Sequence, residues 1–468
     1  MRQAATALAL VGLAAGSAPA AEDHQQLATY AVGSLGSAIM HFRMDVACHG
    51  GYLWRYKADM SEREGEGKAT ETQIWVQPPG TPSVGLAMLE AYELTGMDLC
   101  RDGAVEAAKA LIWGQLACGG WDYLIDFDPE STRKPYYLRD KQAGIEPAKR
   151  QRTWAVFDDN TTQHALRLLM AVGRALELED KEIHDATVRG LQCVLDAQFP
   201  NGGWPQGWPL SEGAGYARYI TFNDNAMNDC LSVMLEAYTT YNDERYLEAA
   251  KRGGDCIIAL QLPEPQSGWG QQYDESLKPA PARWFEPAAC ESAVTAGNMR
   301  TLMTLFRATR DEKYLKPIPA AIKWLQASKL DNGKWARFYE PGTNRPLYVN
   351  MDRQVVYVYD GTIRPGYSWQ SEYGIPGVIA AYEALMKDVA AGTVAWTIPP
   401  PERKPLTAEQ AQVTLDRLAP EVRKACDALD AEGNWVREDG WIYCEDFIRN
   451  TRLLAQYIGA VAVAQKAQ

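Results

Sequence analysis

At 468 residues, 46% of them apolar, the chain can bury a large core as one big domain or as two or three smaller ones. A formal charge of −13 excludes a general binder of nucleic acid or anionic surfaces, since such proteins present an electropositive face to phosphates. An anionic substrate stays open, because metal ions and a few local arginines invert the sign at a site.

The first element is a basic start at Met1-Arg2, a small-apolar run from Ala4 to Gly16 and Ala18-Pro19-Ala20 ahead of the charged Glu22-Asp23. That order is a secretory signal, so residues 1–20 are set aside and the mature protein is expected in the periplasm or outside the cell. No later stretch is apolar and uncharged for long enough to span a bilayer, so no membrane partner is expected. The nine cysteines form no close pairs and resemble neither a disulfide framework nor a zinc site, and five scattered histidines argue against a multi-histidine metal centre.

A repeat organises the rest. Gly50-Gly51-Tyr52, Gly119-Gly120-Trp121, Gly202-Gly203-Trp204, Ser267-Gly268-Trp269, Gly333-Lys334-Trp335 and Gly433-Asn434-Trp435 are turns ending in an aromatic residue. Helical patterns precede four of them, as in 104–113 and 187–195, and further helices are expected over 83–92 and 230–238, with apolar residues at three- and four-residue spacing. Paired helices of this kind cannot bury their faces alone and must stack on neighbours. The expected fold is therefore all-α: an α/α toroid, or incomplete α/α barrel, of five or six helical hairpins, with a solenoid as the alternative closure. Residues 21–395 are expected to form the toroid. Residues 396–468, with Ile398-Pro399-Pro400-Pro401, are expected to be a linker and a C-terminal helical segment packed on it.

If the inner helices are parallel, their N-termini meet at one rim. Asp158-Asp159-Asn160 and Asn223-Asp224-Asn225 fall there, Asp159 and Asp224 lying 65 residues apart, and Glu291 follows in the next unit. Each acid alone suits a helix N-cap. Together they supply more carboxylates than capping needs, and oxygen-only ligands suit a hard cation, with calcium favoured. An acid and base pair for glycoside hydrolysis is the other use. Trp204, followed by Pro205-Gln206 rather than by helix, is a candidate for sugar stacking or for a buried plug. Arg283, Arg353 and Arg364, set among aromatics and turns, are candidates for gripping carboxylates.

The order Asp159-Asn160, Asn201-Gly-Gly-Trp-Pro-Gln206, Ile220-Thr-Phe-Asn-Asp-Asn-Ala-Met227, Ala282-Arg-Trp-Phe-Glu286 and Trp335-Ala-Arg-Phe-Tyr339 resembles the family 10 pectate lyases. The resemblance runs from about Thr153 to Trp369. It implies cleavage of polygalacturonate or a related uronate polysaccharide by β-elimination with Ca2+. By motif, Asp159 and Asp224, with Glu291, hold or orient the metal and the substrate carboxylate. Arg283 is the candidate base at C5, with Tyr219 or Tyr367 as second choice, and Arg353, Arg364 and Tyr367 bind neighbouring uronates. The expected partner is an acidic polysaccharide, acted on by a monomer. Two other classes compete. Gln115-x-x-x-Gly-x-Trp121 and Gln198-x-x-x-Gly-x-Trp204 resemble the Gln-Trp repeats of triterpene cyclases, and a non-catalytic glycan-binding toroid would keep the tryptophan and the arginines.

Overall fold

The computed structural model describes residues 24–211, 213–399 and 405–466. The expected secretory signal and the centre of the expected proline linker lie outside them. Thirteen α-helices are present among the described residues. They are α1 (His24–His41), α2 (Thr81–Thr95), α3 (Asp98–Trp113), the short α4 (Leu138–Gln142), α5 (Thr161–Ala175) and α6 (Lys181–Asp196). After these come α7 (Ala226–Tyr241), α8 (Glu244–Ala259), α9 (Ser292–Thr309), α10 (Ile318–Ala327), α11 (Ile375–Ala391), α12 (Ala408–Asp427) and α13 (Cys444–Lys466).

Two kinds of helix alternate. In α6 the buried residues Ile183, Ala186, Thr187, Gly190, Leu191, Cys193 and Val194 follow a single stripe, and the Asp180 side chain accepts from the Ile183 N–H to start the helix. This is an outer helix, polar on its far side. In α5 ten of fifteen residues are buried, among them Leu166, Leu168, Leu169, Met170 and Val172, which wrap most of the circumference. A helix so enclosed is an inner one.

Each unit is an outer helix, an aromatic turn and an inner helix, and the turn fixes the unit. The indole N–H of Trp121, Trp204, Trp269, Trp335 and Trp435 donates to the carbonyl of Leu111, Val194, Ile257, Leu325 and Ala425 at 2.7–2.8 Å, in the last turn of the outer helix just completed. The glutamine before the turn ties that unit to the next. Gln115 donates to Gly119 and to Ala186 of α6, Gln198 to Gly202 and to Ala249 of α8, and Gln261 to Ser267 and to Pro317 beside α10. The Gln-Trp pattern is thus a structural clamp. Gly202 needs its φ of +89°, and a Cβ there would stand 2.1 Å from the Arg252 carbonyl of α8.

The C-terminal residues correct the expected division of the chain. Gly433 abuts the Ser37 carbonyl of α1 just as Gly202 abuts α8, and α13 packs against α2, α1 and α12. The strand Arg55–Lys57 pairs with Trp441–Tyr443, Tyr56 opposite Ile442. So α12 and α13 are a sixth unit placed before the first, and α13 is an inner helix rather than an appendage. The inner ring runs α13, α2, α5, α7, α9, α11. At its other end α11 packs on α9 and buries only Ile375, Val378 and Leu385, so the toroid is left open there. Short antiparallel pairs, such as Ala155–Val156 with Gly207–Trp208 and Ile220–Thr221 with Gln272–Tyr273, join successive turns along one rim.

Candidate active site

The turns that lead into α5 and α7 are copies of one another. Asp159 has φ 50° and ψ 29°, and Asp224 has φ 47° and ψ 29°; Asn160 and Asn225 follow at φ 57° and 59°. Two successive non-glycine residues in the left-handed region are costly, and such strain persists only where the surroundings over-determine it, often at functional sites. Neither Asn160 nor Asn225 caps its helix through its side chain, so these turns are not ordinary caps. Arg167 of α5 donates to the Asn160 side chain at 2.6 Å and to Glu236 of α7 at 2.9 Å, and this fixes the first turn.

The geometry brings Asp158, Asp159 and Asp224 together, with one carboxylate oxygen of each within 4.8 Å of the others. Two oxygens bound to one calcium at 2.3–2.6 Å lie at most about 5 Å apart, so this cluster has the dimensions of a hard-cation site. One buried oxygen of Asp158 has no hydrogen-bond partner among the described residues, as expected of a ligand without its ion. Burial, then the charges of Asp224 and Asp159, push the Asp158 carboxyl up to about 8. Burial, Asp224 and Glu66 push Asp159 up to about 6, and Asp224 is raised by burial against the pull of Arg283 and Arg337. The three acids repel one another and call for a cation or for protons.

Facing them is a group of arginines on an aromatic platform. Arg283 is held by Glu286, whose fully buried side chain accepts from the Arg283 backbone N–H at 3.1 Å, its Nε at 2.8 Å and its Nη2 at 2.5 Å, from Gln271 at 3.1 Å and from the Tyr367 hydroxyl at 3.0 Å. Burial pushes Glu286 up, but these bonds and the Arg283 charge outweigh it and hold the carboxyl below its usual value. The guanidinium is raised in turn, chiefly by its bond to Glu286. The Arg283 and Arg364 guanidiniums share the Phe285 ring at 4.9 and 3.9 Å, and Arg353 lies 5.3 Å from the centre of Trp284, a ring 43% exposed.

Several expected assignments change. Trp204 is fully buried, its indole bound to Val194, and cannot stack on a sugar. Glu291 stands in extended backbone outside the acidic cluster; it caps α9 by accepting from Val294 and is ion-paired to Arg337 at 2.9 Å. Arg283 as a base conflicts with its bidentate pairing, which keeps it a cation. The Tyr367 hydroxyl donates a hydrogen bond to Glu286 and its pKa is raised, by burial first, so it too is no base. Tyr219 lines a separate cleft with Phe199, Arg218, Tyr273 and Leu277. Asp158, expected at the rim beside Asp159, is part of the site, and Glu286, Arg337 and Trp284 join it. Glu372-Tyr373-Gly374 repeats the left-handed turn ahead of α11, Tyr373 at φ 47° and Gly374 at φ 67°, with a tyrosine where the earlier copies carry an aspartate.

Fold and rim together define an α/α toroid with a charged polar site on one edge. Residues 115–334, just under half of the chain, match the family model described as pectic acid lyase. A family 10 polysaccharide lyase from Cellvibrio cellulosa, solved as a mutant with trigalacturonic acid, is similar at 20% identity over 65% of this chain and 98% of that one, with a TM-score of 0.47. A D-mannose isomerase is similar at 14% identity over 95% and 100% of the two chains, with a TM-score of 0.45. Human lanosterol synthase is 34% identical over 123 residues, a match that covers 25% of this chain and only 13% of that enzyme's length. The match over residues 115–334 makes that stretch similar to the pectic acid lyases and supports a polysaccharide lyase as the class of protein.

Proposed function

We propose that the protein cleaves polygalacturonate, or a closely related uronate polymer, by calcium-assisted β-elimination at the rim where Asp158, Asp159 and Asp224 face Arg283. The opposition of three unneutralised carboxylates to a fixed guanidinium supports this reading most strongly. A uronate carboxylate can bridge the two poles, bound by Arg283 on one side and by a cation held on the aspartates on the other. Calcium so held would supply positive charge beside the carboxylate, which makes the adjacent C5 proton more acidic.

The chain's own residues do the rest. Glu286 keeps Arg283 cationic and aimed, so the charge that develops on the sugar carboxylate as the C5–H bond breaks meets a preorganised donor. The electron pair forms the C4–C5 double bond, the C4–oxygen bond breaks, and the departing oxygen takes a proton from water. The proton acceptor must be a group whose neutral form breaks no ion pair. Solvent hydroxide meets this condition, while Arg364, which has no carboxylate partner among the described residues, shares Phe285 with Arg283 and donates from its side chain only to the neighbouring Pro365 carbonyl, is a second cation for the uronate carboxylates. Export is part of the proposal, since the polymer is extracellular; no helix of the described residues is long and apolar enough to cross a membrane.

The test is appearance of a 4,5-unsaturated uronate product. Arg364→Ala should raise KM by about tenfold or more with little change in kcat, because it removes a charged contact to the substrate carboxylate. A saturated reducing-end product instead would make the enzyme a hydrolase.

A further inference from the structure

A second cavity adjoins the acidic cluster. It holds about 330 Å³ and is lined by Tyr123, Arg152, Trp154, Asp158, Gln206 and Ser211 among others. That volume lies at the lower end for small-ligand sites and fits one or two sugar rings. Its walls come from the stretch that carries α4 and from the loop after Trp208, joined by the strand pair Ala155–Val156 and Gly207–Trp208.

Two of its residues belong to both places. Asp158 contributes its unpartnered buried oxygen, and Tyr123 lines the cavity close enough to Asp159 to help hold that carboxyl down. A polymer unit over the aspartates would therefore have its neighbour in this cavity. The lining suits such a unit. Trp154 is 37% exposed, and the Arg152 guanidinium lies 5.1 Å from its ring centre. Arg152 spends one Nη1 bond on the buried Asp122, which fixes it, and its other donors have no hydrogen bond among the described residues. Nor does the Gln206 side chain. The exposed indole with an adjacent guanidinium matches Trp284 with Arg353, and in the ring order the acids of α5 and α7 lie between the two couples.

We infer that the Trp154–Arg152 cavity is a sugar subsite that takes a second uronate of the same polymer chain, with Trp154 as the stacking face and Arg152 and Gln206 as donors to the carboxylate and hydroxyls. The inference rests on the lyase reading for the direction of the chain, but the subsite can be tested apart from it.

The experiment follows kcat/KM for uronate oligomers from dimer to hexamer with wild type, Trp154→Ala and Trp154→Phe. The oligomer long enough to enter the cavity should gain in wild type, and Trp154→Ala should remove about three- to tenfold of that gain. Trp154→Phe should keep most of it, and all three should be equal on the shortest cleaved oligomer. An unchanged gain in Trp154→Ala would overturn the subsite. So would an equal gain for an oligomer methyl-esterified at the unit in question, because the cavity would then not read a carboxylate. If wild type cleaves no uronate at all, the lyase reading fails first, and calorimetric binding of saturated tetragalacturonate decides the subsite alone. Binding weakened in Trp154→Ala supports it, and binding that is absent or equal in both overturns it.

Discussion

The three aspartates are the residues on which the account turns, and their protonation sets a testable pH dependence. In chelator-treated protein the folded chain retains protons on Asp158 until about pH 8 and on Asp159 until about pH 6. The unfolded chain has released them by about pH 5. The folded state binds the extra protons, so stability should fall as pH rises from about 5 to about 8. Added calcium replaces those protons, so it should raise the thermal midpoint more at about pH 8 than at about pH 5. Asp158→Asn should flatten the apo profile, and a slope as steep as wild type in that variant would contradict the assignment. Asp224→Asn should lower turnover by about a hundredfold or more while circular dichroism stays helical, given what a lost ligand in a metal-assisted site costs. Glu286→Gln should loosen Arg283 and cost about ten- to a hundredfold in kcat/KM, the range seen for residues that orient a functional group.

At the scale of elements the aromatic turn is the joint between outer and inner helix. Trp204→Phe removes the indole bond to Val194 and should cost about 1–3 kcal/mol of stability without raising KM, because it leaves a buried acceptor unpaired. A raised KM at unchanged stability would restore Trp204 as a sugar platform. The repeat was legible because glycine, tryptophan and glutamine recur with their types intact, and so were the paired turns at Asp159 and Asp224, which keep an Asp-Asn pair at the repeat interval. Glu291 misled because it holds the same position in sequence but sits in extended backbone, in a strand opposite Phe338. That pairing also brings Arg337 to Glu291, and helical periodicity carries no sign of it. The third copy of the turn escaped notice because Tyr373-Gly374 has the backbone of the aspartate turns and none of their chemistry.

For the whole molecule, six units stack into an open ring whose ends are α13 and α11, so the last residues are structural. Deleting the chain from residue 405 onward removes α12 and α13 from α1 and α2 and bares the faces they cover, such as Leu94 against Gly459, and it should give aggregated or unfolded protein. A soluble, cooperatively melting product would show that α12 and α13 are dispensable. The ring positions two acidic turns on adjacent inner helices and presents arginines opposite them, and that opposition is the central claim. It is tested most directly by incubating the purified protein with polygalacturonate, with and without calcium, and following absorbance of the 4,5-unsaturated uronate. A calcium-dependent rise that chelation removes and Asp224→Asn abolishes is the predicted result. No rise from a well-folded sample, with or without calcium, would contradict it.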